Sequence, residues 1–150
     1  MISIEEIKAL REETGLSIME CRKALEEADG DKNQAIALLK KRGAEVAKKK
    51  MGRTLGAGVI IAYIHTGETV GVMLELLCET DFVAQNPEFK SVARDIAMHI
   101  AAMNPSDTEL LLEQPFIKDV GQKISDLINN TVQKFGERTE IGQFVRFSIS

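Results

Sequence analysis

Val59-Ile60-Ile61-Ala62-Tyr63-Ile64-His65, then Thr66-Gly67-Glu68-Thr69, then Val70-Gly71-Val72-Met73-Leu74-Glu75-Leu76-Leu77 is the stretch that decides the fold. Two extended apolar runs joined by four residues with a glycine have the pattern of a β-hairpin. Both parities of each run are apolar: Val59, Ile61 and Tyr63 alternate with Ile60, Ala62 and Ile64, and in the second run only Glu75 interrupts. An antiparallel sheet ordinarily leaves one face to water, so a sheet apolar on both sides needs two covers. Gln143-Phe144-Val145-Arg146-Phe147-Ser148-Ile149 predicts a third strand. Between the strands lie two helical patterns. Phe89, Val92, Ala93, Ile96, Ala97, Ile100 and Ala101 recur at 3/4 spacing up to Asn104-Pro105, and Val120, Ile124, Leu127, Ile128 and Val132 follow. The expectation is an α+β core on a three-stranded antiparallel sheet. Two helices cover one face, and the other is expected to bury against a second copy in a homodimer packed sheet to sheet.

Upstream, three helix starts follow one another. Ser3-Ile4-Glu5-Glu6 and Ser17-Ile18-Met19-Glu20 are capping boxes, and Asp31-Lys32-Asn33-Gln34 opens on an aspartate cap. Ile4, Ile7 and Leu10; Ile18, Cys21, Leu25 and Ala28; Ala35, Ile36 and Leu39 then recur at helical spacing. Thr14-Gly15 and Asp29-Gly30-Asp31 supply turns, and Gly43 after Lys40-Lys41-Arg42 reads as a helix stop. A three-helix bundle of this size suits docking better than catalysis. The chain thus divides into residues 1–53, a docking module with a basic linker, and 54–150, the α+β core with the dimer face. Adjacent residues on a helix cannot both face inward. Of Ile18 and Met19, one is therefore expected to stand exposed as a contact knob or as an incidental surface residue.

Cys78-Glu79-Thr80-Asp81-Phe82-Val83-Ala84 connects the second strand to the helix start at Asn86-Pro87. A loop between strand and helix is where binding residues tend to sit on a rigid scaffold. Phe82 beside Asp81 fits two roles there: a probe for another protein's pocket, or a lid folded onto its own core.

Composition excludes several classes. At 44% apolar and 28% charged residues the chain is an ordinary globular protein, and no run approaches the roughly 20 apolar residues of a membrane helix. No targeting segment is read before Ser3, and Cys21 and Cys78 are read as buried free thiols, so a cytoplasmic setting is expected. The net charge of −4 hides an uneven distribution. Residues 1–31 carry −5, residues 32–53 carry +7 and the rest −6. The basic block, with Lys40-Lys41-Arg42, Lys48-Lys49-Lys50 and Arg53, has no interleaved aromatic to stack bases, so a solvated helix end and linker is preferred to a nucleic-acid site. His65 and His99 lie at no metal-ligand spacing, and Gly56-Ala57-Gly58 precedes a strand rather than a helix. No enzyme, cofactor or metal site is read.

Taken in order, Leu10-Arg11, Thr14-Gly15, Met19-Glu20-Cys21-Arg22-Lys23-Ala24-Leu25, Ala28-Asp29-Gly30-Asp31, Ala35-Ile36, Glu79-Thr80-Asp81-Phe82-Val83-Ala84, Ala97-Met98-His99-Ile100-Ala101, Leu111-Leu112-Glu113-Gln114-Pro115-Phe116 and Arg146-Phe147 resemble bacterial elongation factor Ts. That family exchanges nucleotide on the translational GTPase elongation factor Tu. The resemblance implies an N-terminal fold like a ubiquitin-associated domain, docking on the GTPase's nucleotide-binding domain through Arg11, Ile18 and Met19. It implies that the motif matched by Thr80, Asp81, Phe82 and Val83 inserts its phenylalanine near the GTPase's magnesium site. Only five residues, Ser106 to Leu110, join Met103-Asn104-Pro105 to Leu111, so the chain resembles a short form that has lost a second core half and a helical hairpin. Ile18 stands where the family often has Met, and Leu55-Gly56-Ala57-Gly58 lacks the family's frequent acidic residue before the strand glycine. Two other classes are weighed beside it. An adaptor for ubiquitin-like partners would use the same bundle, but Thr14-Gly15-Leu16 lacks the usual Met-Gly-Phe/Tyr loop. A small RNA-binding protein would use Lys40 to Arg53 and lose affinity steeply with salt.

Overall fold

The computed structural model describes residues 1–149. Helix α1 (Ile4–Thr14) opens on the expected capping box, with the Ser3 N–H donating to Glu6 (2.7 Å) and the Glu6 N–H to Ser3 Oγ (3.2 Å). It closes on Gly15 at φ 71°, in the left-handed region that glycine occupies without strain. Helix α2 (Ile18–Glu27) repeats the box with Ser17 and Glu20, and Asp31 caps α3 (Lys32–Lys50) by accepting from the Gln34 N–H. Ile7, Leu10, Leu16, Cys21, Leu25, Ala35 and Leu39 close into a small core of their own. Ile4 and Ile18, at the first positions of their helices, stay exposed.

Helix α3 differs from expectation: Gly43 does not end it. The helix continues through Ala44, Val46, Ala47 and Lys48–Lys50, so the basic segment is helical as far as Lys50 and residues 51–56 make the connection to the first strand. A mid-helix glycine costs about 1 kcal/mol relative to alanine. Here it permits close approach, because a Cβ at Gly43 would lie 3.0 Å from Gln133 Oε1 and 3.4 Å from the Asn129 carbonyl oxygen.

Strand β1 (Ala57–Ile64) pairs antiparallel with β2 (Val70–Cys78), Ile60 opposite Glu75 and Ile64 opposite Gly71. One helical turn, α4 (Asp81–Ala84), precedes α5 (Pro87–Met103), which Asn104 ends in the left-handed conformation. Then come α6 (Thr108–Glu113), a small hairpin of β3 (Pro115–Phe116) and β4 (Asp119–Lys123), α7 (Ile124–Phe135) and β5 (Glu140–Ser148). Val120, expected on the last helix, lies exposed in β4 instead. Asp119 Oδ1 accepts from the Gly121 N–H and turns the chain, and α7 starts only where Asp126 accepts from the Lys123 N–H. Strand β5 pairs antiparallel with β2, giving the order β1-β2-β5. An extra residue of β5 stands opposite Glu75, whose carboxylate accepts from the Gln143 N–H (2.8 Å) and satisfies the bulge.

The expected α+β architecture therefore stands, but one helix rather than two lies on the sheet: α5 covers one face, with α4 at its edge, and α7 packs against α3 and α5. Val72, Leu74 and Leu76 of β2 pack with Phe89, Ile96 and Ile100 of α5, and Ile124 and Ile128 of α7 belong to the same core. The opposite face leaves Ile60, Ile64, Met73, Val145 and Phe147 exposed, as two-sided apolarity predicted. Helix α7 also ties the N-terminal bundle to the core. Asn130 donates to the Thr14 carbonyl (3.0 Å), and Lys40 of α3 donates to the Gly121 carbonyl (2.8 Å). No helix among the described residues is long and apolar enough to cross a membrane.

Candidate partner-docking site

Strand β2 delivers the chain to Thr80, which is extended (φ −130°, ψ 153°) and caps α4, its hydroxyl oxygen accepting from the Val83 N–H (3.4 Å). The segment expected as a loop is thus a capped helical turn. Val83 and Ala84 are buried in the sheet core, whereas Phe82 is 87% exposed. That exposure removes the lid alternative: Phe82 covers none of its own core. Asp81 is exposed beside it. Of the four motif residues, Asp81 and Phe82 face solvent, Val83 is an anchor in the core, and Thr80 is the cap.

Two carboxylates hold the turn from behind. Glu137, just after α7, accepts from the Glu79 N–H (3.1 Å), the Thr80 N–H (3.0 Å) and the Thr80 hydroxyl (2.7 Å). Glu79 reciprocates by accepting from the Arg138 N–H (2.5 Å), and Arg53 lies 3.4 Å from its other oxygen. Sequence reading did not single out Glu137: it lies 57 residues from its partners, and no local period marks it.

The second group of candidates sits where α1 turns into α2. Met19 is 81% exposed and Ile18 52% exposed, so both, and not one, stand at the surface. Arg11 is exposed on the last turn of α1 and forms no side-chain ion pair among the described residues. The turn between them is fixed by the Thr14 hydroxyl, which donates to the Leu10 carbonyl (2.9 Å) and accepts from the Leu16 N–H (3.3 Å). The structure brings both groups onto the frame of α7. Asn130 bonds Thr14, and Lys134 pairs with Glu88 at the start of α5, just beyond α4.

The remaining titratable candidates have structural partners. His99 is fully buried, and its Nδ1 accepts from the Ile117 N–H (3.3 Å). Nε2 then carries the proton and donates to Gln114 (2.9 Å). Burial holds this imidazole below its ordinary pKa, with the Gln114 bond acting the other way. Burial raises both thiols, Cys21 and Cys78, and the Glu137 charge raises Cys78 further, so both stay protonated. Among the described residues no three metal-ligating side chains come together. Several cations of the basic block are engaged internally: Arg42 with Glu27, Lys40 with Gly121 and Asp126, and Arg53 with Glu79.

A three-helix bundle braced against a sheet-based core, displaying apolar side chains from short capped elements, defines a class of α+β proteins with built contact points. Within it, the family model for elongation factor TS matches residues 17–109 and 79–150. Curated relatives include elongation factor Ts of Thermodesulfovibrio yellowstonii, 40% identical over 99% of this chain and 96% of its own length. Those of Carboxydothermus hydrogenoformans (39%, over 99% and 89%) and Thermotoga maritima (38%, over 99% and 96%) are similar. The chain belongs to the elongation factor Ts family, and so among translation elongation factors. The first of these alignments spans 192 positions against 150 residues here, so that relative carries at least 42 positions without a counterpart in this chain.

Proposed function

We propose that this chain is a guanine nucleotide exchange factor for elongation factor Tu and promotes GDP release during polypeptide elongation in the cytoplasm. The observation that carries the reading is Phe82, almost wholly exposed on a turn whose neighbours are anchored in the core. Free in water, the ring leaves apolar surface unburied, and burying it in a partner is worth about 1.5–3 kcal/mol. Spent near a magnesium site, that energy favours a GTPase state with a disturbed phosphate cradle, since magnesium tolerates little departure from octahedral geometry. Asp81 accompanies the ring, while Thr80 and Val83 hold the turn. Arg11, Ile18 and Met19 make the second contact, with the bundle acting like a ubiquitin-associated domain on the GTPase's nucleotide-binding domain. The factor makes and breaks no covalent bond, and it needs no cofactor. By linkage it weakens nucleotide as much as nucleotide weakens it. Direct nucleic-acid contact is not part of this reading, because three members of the basic block are occupied by internal partners.

The working form is a homodimer joined through the outer sheet face. Exposed Ile60, Ile64, Met73, Val145 and Phe147 support this, a contiguous apolar set of the kind that marks interfaces. The deciding experiment is stopped-flow release of a fluorescent GDP from elongation factor Tu. Acceleration at substoichiometric chain supports exchange, and an unchanged release rate with the cognate GTPase refutes it.

A further inference from the structure

We propose that Glu137 is a positioning residue for exchange: it sets the direction in which Phe82 is presented, without touching the partner. This deepens the exchange reading above and rests on it. The geometry is a clasp of two carboxylates crossing between the end of β2 and the segment after α7. Glu137 accepts three hydrogen bonds from residues 79 and 80, while Glu79 accepts from the Arg138 N–H (2.5 Å). The clasp is further closed by Arg138, which donates to the Arg53 carbonyl (2.6 Å) and to Glu140 (2.6 Å).

The Thr80 hydroxyl is the link to Phe82. It donates its one proton to Glu137 Oε2, which leaves its lone pairs to accept from the Val83 N–H and cap α4. A threonine hydroxyl free to rotate spends part of its time facing water. One committed to a carboxylate keeps its lone pairs on the helix start. Hydrogen bonds to a charged acceptor are about twice as strong as neutral ones, so the carboxylate is the element that fixes this orientation. Phe82 itself touches nothing that would hold it, being 87% exposed, so its direction is inherited from the backbone of a single helical turn. Losing the clasp leaves the ring chemically intact but spread over more directions. The entropy of ordering it again is then charged to complex formation.

The test is a double-mutant cycle in the fluorescent-GDP assay, with backbone amide hydrogen exchange on the free chain. Glu137→Ala is expected to lower the exchange rate about tenfold. It is expected to remove protection from the Glu79 and Thr80 amides, and to have no further effect in a Phe82→Ala background. Glu137→Gln, which keeps an acceptor oxygen and loses the charge, is expected to recover to within about threefold of wild type. If Glu137→Ala fails to fold, Thr80→Val, which removes the hydroxyl that joins the clasp to α4, carries the same cycle. An active wild type whose Glu137→Ala variant, or Thr80→Val in its place, exchanges nucleotide normally would overturn the positioning role alone. So would an equal loss with and without Phe82, which a merely stabilising residue gives, or unchanged amide protection. A wild type that does not accelerate GDP release overturns the exchange reading and the positioning role together.

Discussion

Phe82→Ala separates docking energy from folding energy more cleanly than any other change in this chain. In the free protein the ring is 87% exposed, so truncation removes almost no packing and opens no cavity. Surface substitutions of this kind usually stay within about 0.5 kcal/mol of neutral, and alanine suits the helical turn of α4 at least as well as phenylalanine. In the complex nearly the whole side chain is available for burial, which is worth about 2–3 kcal/mol at a well-packed site. That converts to roughly a 30- to 150-fold slower exchange at subsaturating factor. The assay is stopped-flow release of fluorescent GDP from elongation factor Tu, read beside a thermal melt of the variant alone. The expected pair of results is a large loss of exchange with an unshifted melt. Normal exchange would refute the insertion role. A melt lowered by several degrees would show that the ring packs on its own chain in solution, against the exposure from which the magnitude is worked.

Other changes probe the remaining contacts. Met19→Ala should raise the concentration of factor needed for half-maximal exchange about fivefold, with the maximal rate little changed, because it removes an exposed contact far in sequence from the nucleotide turn; a titration of exchange rate against factor measures this. Phe147→Glu places a charge on the exposed sheet face and should convert the proposed dimer to a 16.6 kDa monomer in sedimentation velocity, the fold remaining intact by circular dichroism. His99 predicts a pH dependence of stability. Its pKa is lowered in the folded state, so the unfolded chain binds the proton more readily. Stability is therefore full above the unfolded value of about 6.5 and falls as pH drops through the folded pKa. Urea unfolding between pH 7.5 and 5 should show a smaller decline in His99→Gln than in wild type; equal declines would assign the effect to other groups.

The elements legible in the sequence were those specified by neighbours along the chain. Capping boxes need only four residues, and Ser3 and Ser17 form theirs as read. The hairpin needs alternation and a turn, and both faces of its sheet are as apolar as the pattern implied. Misreadings arose where a distant partner, or a turn that breaks the helical period, overrides the apolar spacing. Gly43 ends no helix because α7 packs against it, and that contact joins residues about 90 positions apart. Val120 continues the spacing of Ile124 and Ile128, yet Asp119 and Gly121 turn the backbone before α7 begins. Of the candidate site, Phe82 and Met19 were legible as apolar residues where folding does not ask for them. The clasp behind Phe82 was not, because Glu137 looks like any surface glutamate until β2 and the end of α7 are placed side by side.

The exposure of Phe82 follows from phase as much as from composition. Successive residues of an α-helix are about 100° apart, so the burial of Val83 and Ala84 fixes the inward direction midway between them. Phe82 then lies about 150° from that direction and Asp81 about 110° on the other side. A single turn anchored at 83 and 84 can therefore only present Phe82 outward. Hydrophobic collapse of the ring onto the core would require withdrawing two residues already buried there. The arrangement holds only while the turn keeps its helical phase, and α4 keeps it with a few backbone bonds, from the Ala84 N–H to the Thr80 carbonyl (3.1 Å) and from the Gln85 N–H to the Asp81 carbonyl (3.0 Å). The cap adds a further constraint, since Thr80 is extended and its hydroxyl committed to Glu137. A probe that must stay exposed in water and still arrive in one orientation is thus built from a buried anchor on one side and a charged hydrogen-bond acceptor on the other.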